Sequence, residues 1–209
     1  VKIGATHAGI SVGEDGASHQ AIEDIAIMRA IPNMQVYVPC DATETEAIIE
    51  HVAKIDGPCY VRMGRGKVED VYPKGHEFKI GKVDILKEGK DICLFATGLM
   101  VQEALKASEE LKERGIDVTV VNVSSIKPID KEGIIEMCKR HETCYALEEH
   151  NIIGGLYSAI SETIAPYNLC KLYPIGENDT FGESGKAKDV LKKYGLTAEN
   201  VVKVVTENR

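Results

Sequence analysis

The stretch GATHAGISVGEDGASHQAIEDIAIMRAIPN, Gly4 to Asn33, decides how the rest of the chain is read. Small residues lead into Thr6 and His7. Gly9, Gly13 and Gly16 then let the backbone bend tightly while Glu14 and Asp15 project outward. Ser18 stands where a helix is expected to begin, so that its hydroxyl caps the next amides and the helix dipole makes the first turn mildly electropositive. Two imidazoles, His7 and His19, and two acids are thereby expected at one mouth. The glycine spacing matches neither GxGxxG nor a Walker loop, no lysine lies inside it, and Ser18 has no GxSxG elbow around it. From the residues alone, the stretch describes a polyol or proton-transfer site with no named substrate.

Outward from this loop, Ala21 to Arg29 reads as a short helix, with Ile22, Ile25 and Met28 on one face, and Pro32 and Asn33 stop it. Met34 to Val38 is a short apolar strand. Asp41 followed by Glu44 resembles a capping box opening a helix through about Ile55, with Glu44, Glu46 and Glu50 expected on its wet side. Asp56, Gly57 and Pro58 turn the chain into a strand at Cys59 to Arg62. That strand delivers Arg62, and then Arg65 of MGRG, to a sheet end where ligands bind in α/β folds. A guanidinium there is a candidate for holding an anion through paired hydrogen bonds.

The second half alternates more regularly. Phe78 to Lys87 is expected as an edge strand, followed by strands at 92–96, 118–121, 143–148 and 171–173 and helices at 100–114, 130–140 and 154–165. Two more helices are expected from about Gly185 onward. The irregular segment after Lys67, with Pro73 and Gly75, marks a boundary, giving expected units of 1–68 and 78–209 joined by a linker at 69–77. Such alternation predicts an α/β chain, with a partial first domain followed by a mostly parallel three-layer second one. Glu148, Glu149 and His150 could suggest a metal, but no third ligand is offered, so a structural role is expected.

Composition narrows the class. The 209 residues are 44% hydrophobic and 28% charged, with a net charge of -8 and no tryptophan. No block of basic residues forms a groove for nucleic acid, and no apolar run approaches the ~18 residues of a membrane span. The six cysteines, at 40, 59, 93, 138, 144 and 170, contain no CxxC pair and sit in apolar surroundings. They read as buried thiols of a reducing cytoplasm rather than as disulfides or a zinc site. The chain opens at Val1 inside an expected strand, which suggests a fragment or a trimmed product.

The string THAGISVGEDGASHQAIEDIAIMRAIPNMQVYVPCDATE resembles the pyrimidine-binding domain of transketolases, whose pattern is a Thr-His pair, GxGEDGxxHQ, a helix, RxxPN and a strand ending in PxD. TGLMVQEAL, NVSSIKPID, EEHNIIGGL and FGESG resemble the C-terminal domain that follows it, so the likeness covers nearly the whole chain. It implies transfer of a two-carbon ketol unit from a ketose phosphate to an aldose phosphate with thiamine diphosphate as nucleophile and electron sink. By matching positions it implies that His7 lies near the substrate's hydroxyls and phosphate end and that Asp15 reads a sugar hydroxyl. His19 is implied beside the cofactor-bound intermediate, and Arg62 on the sugar phosphate. It further implies a cytoplasmic enzyme of carbohydrate metabolism, in the pentose phosphate pathway, working as a homodimer or higher oligomer. The EEH segment is implied to pack and stabilise a dimer.

Two departures qualify that reading. Many relatives have Thr-His-Asp-Ser where this chain has Thr6, His7, Ala8 and Gly9, which changes the expected substrate preference. The cofactor-activating glutamate, the aromatic bed for the pyrimidine ring and the magnesium ligands have no counterpart here, and are expected on an N-terminal part or subunit, leaving this chain inactive alone. Deoxyxylulose-phosphate synthases and 2-oxo-acid dehydrogenase beta subunits share these domains. A non-catalytic assembly module is the reading from a different class.

Overall fold

Short apolar strands alternating with amphipathic helices build two sheets, and the computed structural model describes residues 1–208 of this arrangement. In chain order the elements are β1 (Lys2–Ala5), α1 (Asp24–Ala30), β2 (Gln35–Tyr37), α2 (Ala42–Lys54) and β3 (Cys59–Arg62). Then follow β4 (Asp84–Lys87), β5 (Ile92–Ala96), α3 (Met100–Glu113), β6 (Val118–Asn122), β7 (Ser125–Lys127) and α4 (Lys131–Arg140). The chain closes with β8 (Thr143–Asn151), α5 (Leu156–Ile164), β9 (Lys171–Glu177), α6 (Ala187–Lys193) and α7 (Ala198–Glu207).

The first sheet has the order β1-β3-β2-β7 and the second β4-β6-β5-β8-β9. Within each, the outlying β7 and β4 pair antiparallel and all other neighbours pair parallel. The architecture is therefore α/β with mostly parallel sheets. Alternation along β5 shows why the second sheet is covered on both faces: Ile92, Leu94 and Ala96 join a core with α3 and α7, whereas Cys93 and Phe95 point into a core with α4 and α5. The second of these cores also takes in Ile25, Val36, Val38 and Tyr60, so apolar packing runs without a break from the first sheet to the second.

Several local expectations change. No helix begins at Ser18; residues 17–19 form a turn. Ala21 is held in a parallel bridge to Ala8, and its carbonyl accepts from Gly9 N–H at 2.8 Å, which postpones the helix to Asp24. Only Asp84–Lys87 of the expected 78–87 strand is a strand, because Phe78 instead packs edge-on against Tyr37, ring centroids 5.5 Å apart. Strand β7 lies in the stretch expected for the second domain yet extends the first sheet through β2.

Asp41 caps α2 by accepting from Glu44 N–H at 2.7 Å. Glu44 itself is buried, not wet: its carboxylate accepts from Cys40 N–H at 2.7 Å and from Asn122 Nδ2 at 2.9 Å, tying α2 to the end of β6. The segment expected as a linker is fastened as well, with Val71 and Tyr72 N–H groups donating to the other oxygen of Asp41 at 2.7 and 2.8 Å.

Candidate functional site

The Gly4–Asn33 stretch emerges at the carboxyl end of β1, beside the carboxyl end of β3. Ala8 N–H donates to Met63 O at 3.1 Å and Met63 N–H to Ala5 O at 2.8 Å, so the chain at His7 is fixed between two strand ends. His7 occupies the left-handed region at φ 62, is exposed, and sets Nδ1 3.0 Å from Thr6 Oγ1. Residues Ile10–Asp15 then coil into a tight 3-10 turn broken at Gly13.

Four contacts fasten this turn. Ser11 N–H donates to Glu149 Oε1 of β8 at 2.6 Å. Arg65 donates through Nη1 to Val12 O at 2.6 Å. Gln20, buried beneath the turn, donates through Nε2 to Ile10 O at 3.1 Å and to Glu183 O at 3.0 Å. The Ser184 hydroxyl donates to Glu14 O. The FGESG segment thus clamps GEDG, and its first glycine has a reason: a Cβ at Gly182 would come within 1.9 Å of Gln20 Oε1. Gly9 is constrained twice, by φ 87 and by the Glu149 carboxylate 2.3 Å from where a Cβ would stand.

What the clamp leaves outside is Glu14, Asp15 and His19, with His7 a few residues before them, all exposed. Asp15 and Glu14 stand 3.8 and 3.6 Å from the half-exposed Arg65 guanidinium, and His19 Nδ1 lies 3.0 Å from Ser18 Oγ. The described contacts join none of His7, Asp15 and His19 directly to another of the three; what they share is the turn that presents them.

Arg62 is where the structure departs most from expectation. It is 4% exposed, and its guanidinium is engaged inside the protein. Nε donates to Asp24 Oδ2 at 2.8 Å, and Nη2 donates to Ala21 O at 3.0 Å and Glu149 O at 2.9 Å. Tyr60 adds its hydroxyl to Asp24 Oδ2 at 2.6 Å. Burial alone would lift the Asp24 carboxyl, but Arg62 and Tyr60 more than offset it and hold Asp24 below its ordinary value. These bonds make Arg62 a strut joining β3, the approach to α1 and β8, and its side chain also lines the cleft that opens between the strand ends. Of the two arginines, Arg65 is the one at the surface of the turn.

Each member of the Glu148-Glu149-His150 run is held by hydrogen bonds within the protein. Glu148 accepts from Leu156 and Tyr157 N–H groups at 2.6 and 2.9 Å, capping α5, and burial pushes its carboxyl up to about 7. His150 donates from Nδ1 to Asn151 O at 2.6 Å and accepts at Nε2 from Ala26 N–H at 3.4 Å; burial and Arg62 push it down to about 4, so it is neutral. Near them Glu177, 0% exposed, has no hydrogen-bond partner at either oxygen, and burial with the neighbouring Glu149 pushes it up to about 8. Sequence reasoning missed Glu177 altogether, since nothing in its neighbourhood along the chain announces a buried acid.

The site does not suit a diphosphate and its metal ion. The amides of Gly9, Ser11 and Gly16 are spent on Ala21 O, Glu149 and Gly13 O, so the loop offers no ring of free N–H groups. Among the described residues no trio of carboxylates or histidines stands close enough to share a cation. A cleft of about 340 Å³ opens beside the turn between the strand ends, lined among others by Met63, Gly64, Gly98, Leu99 and Glu149. Among the described residues no helix is long and apolar enough to cross a membrane.

Comparison with known proteins agrees with this layout. The transketolase pyrimidine binding domain matches residues 1–70 and the transketolase C-terminal domain matches residues 81–201. A protein of Methanocaldococcus jannaschii named for the C-terminal section of a transketolase is 52% identical over 99% of this chain and 66% of its own length. A 6-deoxy-6-sulfo-D-fructose transketolase subunit of Clostridium sp. strain MSTE9 is 37% identical over 99% of this chain and 64% of its own. Among solved structures, a split gene transketolase described as an inactive beta4 tetramer superposes with a TM-score of 0.92 at 46% identity. That match covers 99% of this chain and 66% of the other. The chain thus spans just under two thirds of the length of these relatives.

Proposed function

Because the chain belongs to the transketolase family, with both its pyrimidine-binding and its C-terminal domain, we propose that it forms the substrate-facing part of a thiamine-diphosphate-dependent transketolase. The reaction proposed is transfer of a two-carbon ketol unit from a ketose phosphate to an aldose phosphate. The observation that carries this reading is the Ile10–Asp15 turn, fastened from both sheets while His7, Asp15 and His19 stay exposed around it. A rigid turn presenting imidazoles and a carboxylate is suited to reading a polyhydroxylated substrate. Each side chain bonds a hydroxyl in the right position and is left with a desolvated, unpaired group by a wrong one.

In this reading His7 and His19 hold or move protons at substrate oxygens, because an imidazole donates at one nitrogen and accepts at the other. Asp15 accepts from one sugar hydroxyl, and Arg65 is the cation nearest to it at the surface of the turn. Thiamine diphosphate dependence goes with the pyrimidine-binding family. We assign its diphosphate and a magnesium ion to an N-terminal transketolase counterpart, since the loop amides and acids here do not suit them. The relatives named as a subunit, as a C-terminal section and as a split-gene product support a need for that counterpart. The inactive tetramer formed by one of them supports self-association of this part without turnover. A cytoplasmic location and a place in sugar-phosphate metabolism complete the proposal.

The test is reconstitution. The protein is mixed with its N-terminal counterpart, thiamine diphosphate and magnesium, and ketol transfer between sugar phosphates is followed. Turnover is expected only in the complete mixture, with His7→Ala and His19→Ala each lowering kcat by about 10²–10⁴. Tight association with no turnover would sink the catalytic reading and leave an assembly module. Unchanged kcat in both histidine variants would sink the residue assignment.

A further inference from the structure

At the opposite end of the second sheet from the candidate site, three cysteines from three separate elements meet. Cys138 lies in the last turn of α4, Cys144 at the start of β8, and Cys170 immediately before β9, and their sulfurs all lie within 4.8 Å of one another. Cys138 and Cys144 are buried, whereas Cys170 is partly exposed and gives the cluster an opening to solvent. From Cys144 to Glu149 is about 17 Å along β8, so this cluster is separate from the turn described above. We propose that Cys138, Cys144 and Cys170 form a trithiolate site for a thiophilic divalent cation of the zinc class, which ties α4 to β8 and to the entry of β9.

Geometry favours a cation over a disulfide. Sulfurs bound about 2.3 Å from a tetrahedral zinc stand about 3.8 Å apart, and the three sulfurs here already lie within 4.8 Å of one another. A disulfide would use two of the three and strand the third. Charge points the same way. The carboxyl end of α4 carries the negative pole of the helix, which favours a cation and disfavours an uncompensated thiolate beside it. His141 does not enter the coordination set, since Nδ1 lies 2.9 Å from Met137 O and Nε2 3.0 Å from Thr119 Oγ1. The fourth position is left to water or to Cys93, which is in register with Cys144 on the adjacent strand. Each thiol that coordinates releases its proton to solvent as the metal–sulfur bond forms, so uptake of the ion acidifies an unbuffered solution.

Cobalt(II) is the probe, because thiolate coordination gives it an intense charge-transfer absorption in the near ultraviolet. The full polypeptide, reduced with a non-thiol reductant, is titrated with cobalt chloride in parallel with Cys170→Ser and with Cys59→Ser, which alters a cysteine outside the cluster. One equivalent bound with charge-transfer absorption, a rise in Tm with metal, and more than about 100-fold weaker binding in Cys170→Ser but not in Cys59→Ser is the expected result. Circular dichroism confirms that Cys170→Ser is folded, and Cys170→Ala repeats the test without a hydroxyl. Two results would overturn the site: no charge-transfer band in the reduced protein, or cobalt binding by Cys170→Ser as tight as that of the wild type.

Discussion

Replacing Arg62 by methionine keeps most of the stem's volume and removes the guanidinium, which separates its two readings cleanly. As a strut, Arg62 neutralises a buried Asp24 and supplies donors to Ala21 O and Glu149 O. Taking away one member of such a pair strands a charge inside the protein and costs about 3–5 kcal/mol. Burial is the largest influence on Asp24, and with Arg62 gone it is opposed only by the Tyr60 hydroxyl and by His150, 4.0 Å from the other oxygen. In the wild type, the depressed carboxyl contributes stability above its ordinary value of 3.8 that fades as pH falls through its lower folded value. In Arg62→Met the carboxyl is raised instead, so the variant is least stable at high pH and regains stability on acidification. Urea unfolding followed by circular dichroism at pH 3, 5 and 8 measures both effects, read as the difference between variant and wild type at each pH so that the shared titration of Glu177 cancels. Adding Asp24→Asn to Arg62→Met should recover more than half of the loss, since no charge then remains unpaired. Stability within about 1 kcal/mol of wild type, together with a raised KM for phosphorylated substrates in the reconstituted enzyme, would refute the strut and restore a phosphate-binding role.

Glu177→Gln should flatten the pH dependence of stability. The folded protein holds this proton up to about 8 against an ordinary value of 4.5. Wild-type stability therefore falls between those values by an amount on the order of 5 kcal/mol, and denaturation midpoints at pH 5 and 8 that shift equally in wild type and variant would contradict it. Gly9→Ala forces a side chain into the left-handed region and against Glu149. It should cost about 1–2 kcal/mol from backbone strain alone and abolish activity in the reconstituted enzyme, whereas normal turnover would show that the loop adapts. Gly182→Ala should displace Gln20 and speed amide hydrogen exchange across Ile10–Asp15 at least tenfold while leaving α3 and α4 protected; unchanged exchange would mean the FGESG clamp does not hold the turn.

Local signals are legible in the chain, and long-range ones are not. Cys59–Arg62 and Ile92–Ala96 are short apolar runs bounded by turn residues, and Asp41 with Glu44 announces a helix start, so their places follow from neighbours in sequence. Strand β7 is the three residues Ser125, Ile126 and Lys127, with a single apolar side chain and no pattern of its own, and only its partner β2, some ninety residues away, makes it a strand. Arg62 and Glu44 have the charge of surface residues; their burial is decided by Asp24 and Asn122, which approach from other elements. The cysteine trio has no recognisable spacing because its members come from a helix end and the starts of two strands. The motif strings GEDG and FGESG were both visible, but that one clamps the other appears only when Gln20 and Ser184 are seen between them.

The placement of the clamp changes what the C-terminal domain is for. A domain that only stabilised a dimer would contact the substrate-facing turn at its outside, if at all. Here β8 sends the Glu149 carboxylate to Ser11 and its carbonyl to Arg62, and the segment after β9 sends Ser184 and the Glu183 carbonyl to the turn and to Gln20. The first sheet supplies the strand ends from which His7 emerges and, through Arg65, one anchor of the turn, and the second supplies Glu149 and the segment after β9 that fix the rest of its shape. A shift of one sheet against the other would therefore be felt at Asp15 and His19 before it was felt in either core, because close-packed cores resist displacement while a single turn of backbone follows its anchors. The C-terminal domain acts as a positioning element for the candidate site, and substitutions in FGESG are expected to alter turnover without touching a substrate.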